Sequence, residues 1–258
     1  MPPMRTLIKL MQELDNELAG CICGLCQSVC PLFAETGREA DVARGKLSLL
    51  TCLAQEMFED PRGVAERLNR CLLCGSCAAN CPRGVRVLDI FLQARAILTG
   101  YQGFSPAKKI IFRGLLANPA LLHHIVSLGA KFQGFFVRPA DDLLGSSCAR
   151  YESPVWQGRH FRPLAATPFH RQVPSLFRPP APGQPTVALF VGCLTDKFFP
   201  EVGRAVLTVL EHHGVGVVLP GRQGCCGLPA LSAGEAATFQ SLVDHNLARF
   251  REHAYDYL

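Results

Sequence analysis

The chain has 258 residues, 48% hydrophobic and 18% charged, with a formal net charge of +5; this is enough for one or two domains with real cores, and the composition is neither disordered nor fibrous. No apolar run approaches the roughly 18 to 20 residues a membrane span needs, and Met1-Pro2-Pro3-Met4-Arg5 lacks the apolar stretch of a signal peptide, so a cytoplasmic protein is expected, with the inner face of a membrane as the alternative. Five excess positive charges without a block of like charge exclude a nucleic-acid scaffold, though an acidic partner or an anionic membrane surface stays open.

Leu7, Leu10, Leu14 and Leu18 lie at helical spacing and predict an amphipathic helix running into the first cysteines. Leu47, Leu50, Ala54 and Met57 predict another, and Asp60-Pro61 a cap and opening for a short helix that reaches Arg70. Val87, Ile90, Phe91, Ala94, Ile97 and Leu98 form a further helical face, with Gly100 as its left-handed cap. More helix is expected between Pro106 and Phe136. Periodicity then disappears, and nine of the 19 prolines fall between positions 139 and 185, which reads as an irregular connector. Beyond it, Val187–Val191 fits a buried strand. Val202, Val206, Val209 and Leu210 give the face of a helix stopped by Gly214, and Val215–Leu219 a second strand, so a βαβ unit opens there. Ser232-Ala-Gly-Glu235 has capping-box form and starts a last helix through Phe239, Val243, Leu247 and Phe250.

The 13 cysteines carry the chemistry. An odd number without a secretory signal argues against a disulfide framework and for metal or redox sites. Cys23-Gly-Leu-Cys26-Gln-Ser-Val-Cys30-Pro31 and Cys74-Gly-Ser-Cys77-Ala-Ala-Asn-Cys81-Pro82 share their Cys, Gly and Pro positions, so one site is written twice. With Cys71, the second copy is the bacterial ferredoxin run, in which three closely spaced thiolates hold one cubane and the fourth reaches the neighbouring cluster. On that rule Cys71, Cys74, Cys77 and Cys30 hold one [4Fe-4S] cluster, and Cys21, Cys23, Cys26 and Cys81 the other. Thiolates also suit zinc, but zinc motifs generally use paired ligands rather than this run. The residue equivalent to Cys71 in the first copy is Gly20, with the thiol one place later at Cys21. A complete cubane, a [3Fe-4S] cluster and a labile cluster all remain open there.

These runs, the 40 residues between Cys30 and Cys71, and Ala43-Arg44-Gly45-Lys46 resemble the α-helical ferredoxin domain of glycolate oxidase iron–sulfur subunits, a layout shared with lactate-oxidation subunits and the heterodisulfide reductase family. Val191-Gly192-Cys193 and Gly224-Cys225-Cys226-Gly227, with 31 residues between Cys193 and Cys225, resemble the cysteine-rich "CCG" domain of the same proteins. The resemblance implies a mainly α N-terminal α-helical ferredoxin domain (1–100), a helical extension and Pro-rich connector (101–185), and a partial α/β CCG domain (186–258). It implies an electron-transfer subunit of a flavin-linked 2-hydroxy acid dehydrogenase, with two [4Fe-4S] clusters. Substrate chemistry would lie on a partner flavoprotein, and a quinone or other acceptor, reached at the membrane surface, would take the electrons. The family's CCG element continues into Cys-x-x-Cys and a second repeat, whereas here no Cys follows Cys226. The chain therefore reads as truncated, and Cys193, Cys225 and Cys226 as three thiolates of an incomplete site.

Two other readings stand beside this one: a heterodisulfide-reductase-like thiol/disulfide subunit, and a zinc-stabilised interaction module. Cys52, Cys148, His123-His124 and His212-His213 read as structural. Arg44 and Lys46 read either as compensation for cluster charge or as a solvated helix start. No Gly-x-Gly-x-x-Gly fingerprint, Gly-x-Ser-x-Gly elbow or phosphate loop occurs, so no flavin or NAD is expected on this chain.

Overall fold

The computed structural model describes residues 23–139, 145–151 and 160–258. Cys21 and the expected helix through Leu7 and Leu18 lie outside the described residues. The rest falls into two compact units, one taking the chain to Phe112 together with Leu228–Phe239, the other Arg113–Gly227 with Gln240–Leu258.

The first unit is helical, with α1 (Pro31–Thr36), α2 (Ala43–Ala54), α3 (Arg62–Asn69) and α4 (Val87–Gln102). Leu47, Leu50 and Leu53 of α2, Leu68 of α3, and Ile90, Phe91 and Leu98 of α4 are at most 2% exposed and pack as one core. Each such side chain contributes about 1.5–3 kcal/mol by leaving water. Asp60 accepts the Arg62 N–H at 3.0 Å, but the N-cap of α3 is Pro61, one residue later than the expected Asp60. Met57 lies outside α2 and is 66% exposed. Gly100 does not end α4; the helix runs on to Gln102, and Gly103 follows as its C-cap with φ +75°, a conformation glycine takes without strain. At Gly45 a Cβ would lie 2.0 Å from the Glu39 carbonyl, so only glycine lets α2 start this close to the preceding turn.

The second unit holds α5 (Pro119–Phe136), β1 (Leu176–Arg178), β2 (Thr186–Ala188), α6 (Gly192–Lys197), α7 (Pro200–His212) and β3 (Gly216–Leu219). Strands β2 and β3 pair in parallel with α6 and α7 between them, so the βαβ reading holds. The connector is not wholly irregular: β1 adds antiparallel to the other side of β3, with Leu176 opposite Leu219. The buried face of α7 also differs from expectation. Val202 and Val209 are exposed, while Gly203 and Leu207 turn inward, and a Cβ on Gly203 would meet the Phe169 ring at 2.7 Å.

Ser232 does not cap the final helix. It closes a short turn at Leu228–Ser232, donating to the Pro229 carbonyl, and α8 begins four residues later (Ala236–Phe250). Between them Gly234 adopts φ +82°, and a Cβ there would lie 2.5 Å from the Arg95 carbonyl. That close approach decides where α8 can begin.

Among the described residues no single helix is long and apolar enough to cross a membrane. Leu121, Ile125, Leu128, Phe132, Phe135 and Phe136 nevertheless form one exposed stripe along α5.

Candidate metal and redox sites

The duplication is visible in the backbone. Gly24 and Gly75 adopt φ of +78° and +81°, and each precedes a short helical turn carrying the next cysteine, Leu25–Gln27 and Ser76–Ala79. Only glycine takes this conformation without strain. Leu73, between Cys71 and Cys74, is held at φ +53° despite its side chain, a cost of about 1–3 kcal/mol that the surrounding fold must bear.

Cys30, Cys71, Cys74 and Cys77 line one small cavity, with Lys46 and Phe91 in its wall. Cys26, Cys71, Cys77 and Cys81 pack against the helical core, whereas Cys23 and Cys74 are exposed. Burial, and then the neighbouring Cys71 and Cys26, push the Cys77 thiol up to about 11. A thiol this buried and this crowded by others ionises only if a cation joins it. The Ser76 hydroxyl, 3.5 Å from the Cys74 sulfur, instead lowers the Cys74 pKa. Val85 N–H donates to Cys81 Sγ at 3.4 Å.

Lys46 is 2% exposed, so it is not a solvated helix start. Its ammonium donates to the Asp41 carbonyl and feels the Cys71, Cys30 and Cys77 thiols. Arg44 pairs with Glu39 at 2.7 Å. Arg95, which sequence reasoning did not single out, donates from its guanidinium to the carbonyls of Leu68 (2.6 Å), Cys71 (2.7 Å) and Ser232 (2.7 Å), fixing the loop that presents Cys71. The donor set suits an iron–sulfur cluster: four thiols around one space, a buried cation facing them, and glycine where the backbone must come close.

In the second unit Cys225 Sγ donates to Cys193 Sγ at 3.8 Å. That contact, ahead of the opposing effect of burial, brings Cys193 down to about 7, and the same contact together with burial raises Cys225. Cys226 is exposed. Two amides missed by sequence reasoning hold these loops. Gln223 accepts the Val191 N–H at 2.9 Å and donates to the Leu189 carbonyl at 2.9 Å. Asn246 accepts the Gly224 N–H at 2.8 Å and donates to the Cys225 carbonyl at 3.0 Å. Cys52 and Cys148 are free thiols, and no disulfide forms among the described residues.

Cys193 and Cys225 line a cavity of about 600 Å³ that also takes in His123, His170, Asp196 and Lys197. The Lys197 ammonium lies 2.5 Å from His123 Nδ1, 2.8 Å from Asp196 Oδ2 and 3.3 Å from His170 Nδ1. His123, His170 and Asp196 present ligand atoms close enough for a metal ion, but the ammonium already stands among them as their cation. Burial, then Lys197, lower the His123 pKa, so His123 is neutral and accepts at Nδ1. Burial works to raise the Asp196 carboxyl, but hydrogen bonds from His170 and Lys197 prevail and hold it at about 2. Sequence reasoning set His123 aside as structural; no local pattern links it to residues so far along the chain.

Residues 17–85 match the 4Fe-4S dicluster domain family and residues 187–258 the cysteine-rich CCG domain family. The chain is 28% identical to the probable glycolate oxidase iron–sulfur subunit of Bacillus subtilis (92% of this chain, 54% of that protein). It is 26% identical to the glycolate oxidase iron–sulfur subunit of Escherichia coli (83% and 48%). Against lactate utilization protein A of an Exiguobacterium strain the identity is 40% over 29% of this chain and 30% of that one. The chain thus spans about half the length of the glycolate oxidase subunits it matches. No solved structure matches it. With a match to the 4Fe-4S dicluster domain in front and to the CCG domain behind, the chain is similar over most of its length to the glycolate oxidase iron–sulfur subunits.

Proposed function

We propose that this protein is the electron-transfer subunit of a 2-hydroxy acid dehydrogenase, working beside a flavoprotein that oxidises glycolate, lactate or a similar acid. The observation that carries the reading is the convergence of Cys30, from the first cysteine run, with Cys71, Cys74 and Cys77, from the second, on one cavity. This is the crossed pattern that a pair of neighbouring clusters requires. Cys23, Cys26 and Cys81, with Cys21, are proposed for the second cluster, and Cys193, Cys225 and Cys226 for a partial site.

Bound there, the clusters supply one-electron chemistry at potentials the protein tunes. The chain's own residues set that environment: Lys46 places a buried positive charge beside three thiols, Arg95 holds the Cys71 loop, and the α2–α4 core excludes water. The functional division we propose is 1–100 for the cluster domain, 101–185 for the extension and connector, and 186–258 for the CCG domain. A peripheral seat on the inner face of a membrane, with a quinone as electron acceptor, is supported by the apolar stripe of α5.

Anaerobic purification with iron and sulfide analysis tests the reading. About eight iron atoms per chain are expected for two cubanes, and zinc without sulfide would overturn it. Cys77→Ser should remove one cubane's electron paramagnetic resonance signal and Cys148→Ser neither; a Cys77 variant with both signals would refute the ligand set.

A further inference from the structure

The two copies of the cysteine run differ in what covers their glycines. At Gly75 the nearest neighbouring side-chain atom is Leu88 Cδ1, 3.4 Å from where a Cβ would stand. At Gly24 it is a guanidinium: Arg44 Nη1 lies 2.9 Å from that point and Cζ 3.2 Å. Gly24 stands between Cys23 and Cys26, so a cation rests on the loop that carries both thiols.

That cation is held from behind. Arg44 Nε donates to Glu39 Oε1 at 2.7 Å, and the other Glu39 oxygen accepts from the side-chain amide of Gln27, whose turn (Leu25–Gln27) carries Cys26. Glu39 therefore ties the loop directly at Gln27 and, through Arg44, at Gly24. The Arg44 and Glu39 side chains are 35% and 40% exposed, and an ion pair this open to water adds little to stability. Its effect falls on the loop. Lys46, two residues further along α2, does not share a helix face with Arg44 and lies beside Cys30, Cys71 and Cys77 instead. The first turns of α2 thus deliver one cation to each cysteine set.

We propose that Arg44 is the positioning residue of the cluster site formed by Cys23, Cys26 and Cys81 with Cys21: it clips the Cys23–Cys26 loop to α2 through Glu39 and Gln27, and it places beside that site the positive charge that eases reduction there. This inference rests on the two-cluster reading above. The brace stands where the run itself is irregular, since the first copy has Gly20 in the place of Cys71 and its thiol one residue later. The second copy keeps the regular spacing and has only the Leu88 methyl in the equivalent place.

The test is redox titration of the anaerobically purified full chain, followed by electron paramagnetic resonance and iron analysis. The signal that survives Cys77→Ser belongs to the Cys23–Cys26 site. Arg44→Gln should either remove that signal, with iron falling from about eight atoms per chain to about four, or lower its potential by a tenfold change in the one-electron equilibrium, ~59 mV. In both cases the other cluster keeps its signal and potential. Arg44→Lys, which retains the charge without the planar fork, should recover part of the loss. Arg62→Gln breaks a comparably short exposed pair, with Asp60 at 2.8 Å, and should leave both clusters untouched. Two unchanged clusters in Arg44→Gln, or two lost together, overturns the proposal. The two-cluster reading fails separately, if the unsubstituted protein lacks its roughly eight iron atoms.

Discussion

The thiol of Cys225 donates to the sulfur of Cys193 across 3.8 Å, joining a glycine-flanked loop to the first turn of α6, 32 residues earlier. Gln223 bonds the backbone that leads into α6 and Asn246 the backbone of the loop, so the pair is positioned by the fold. With Cys193 at about 7, iodoacetamide should label it in iron-free protein with a midpoint near neutral pH, while Cys225 resists. Cys225→Ala removes the donor and should move the midpoint up toward the ordinary thiol value of 9.0. Peptide mass spectrometry across a pH series reads both. Labelling suppressed in protein loaded with iron and sulfide would mark these thiols as ligands.

Lys46 is buried against Cys30, Cys71 and Cys77. A positive charge there favours the electron-rich state of any group the thiols hold, so removing it should make reduction harder. Lys46→Met should move the potential of one cluster negative by at least ~59 mV, the equivalent of a tenfold change in a one-electron equilibrium. Redox titration followed by electron paramagnetic resonance measures the shift. An unchanged potential with both signals intact would remove Lys46 from the cluster's surroundings.

Arg95 bonds three carbonyls from two separate stretches of the first unit, the turn from Leu68 to Cys71 and Ser232. Arg95→Met leaves all three short of a charged donor and should cost about 3 kcal/mol or more, with Arg95→Lys recovering only part because one ammonium cannot span the same fork. Thermal unfolding of the two variants checks the order.

The Asp196 carboxyl is held below its unfolded value of 3.8, at about 2. Its contribution is therefore fully present above the unfolded value and is lost as pH falls from about 4 through 2. It amounts to about 2 kcal/mol. Asp196→Asn should show a constant stability deficit above pH 5 that narrows below pH 4. Urea unfolding at stepped pH measures the gap; a gap constant down to pH 2 would contradict the assignment.

The cysteine runs were legible because their geometry is local: spacing, glycine and proline within ten residues dictate how thiols converge, and Gly24 and Gly75 adopt matching conformations. The strand–helix–strand order of the second unit was legible for the same reason, since apolar runs of fixed period announce it. Which side of α7 turns inward was not, because the Phe169 ring against Gly203 sets it and lies more than thirty residues away. Gly103 rather than Gly100 ends α4, and Gly234 displaces the start of α8, because tertiary close approach overrode a local cap signal. Strand β1 escaped notice among prolines, since its place comes from backbone pairing with β3.

By itself, then, the sequence determined the ligand chemistry, its duplication and the class of each half, all properties carried by neighbours along the chain. The grouping of Cys30 with Cys71, Cys74 and Cys77 could also be read from the run; only the tertiary structure decided that Lys46 lies buried beside three of these thiols, and that Ser127, His123, His170, Asp196 and Lys197 line one cavity. Such groups have no periodic signature. Burial without water forces each polar atom to find a partner wherever the fold brings one, and the Ser127 hydroxyl is left without one.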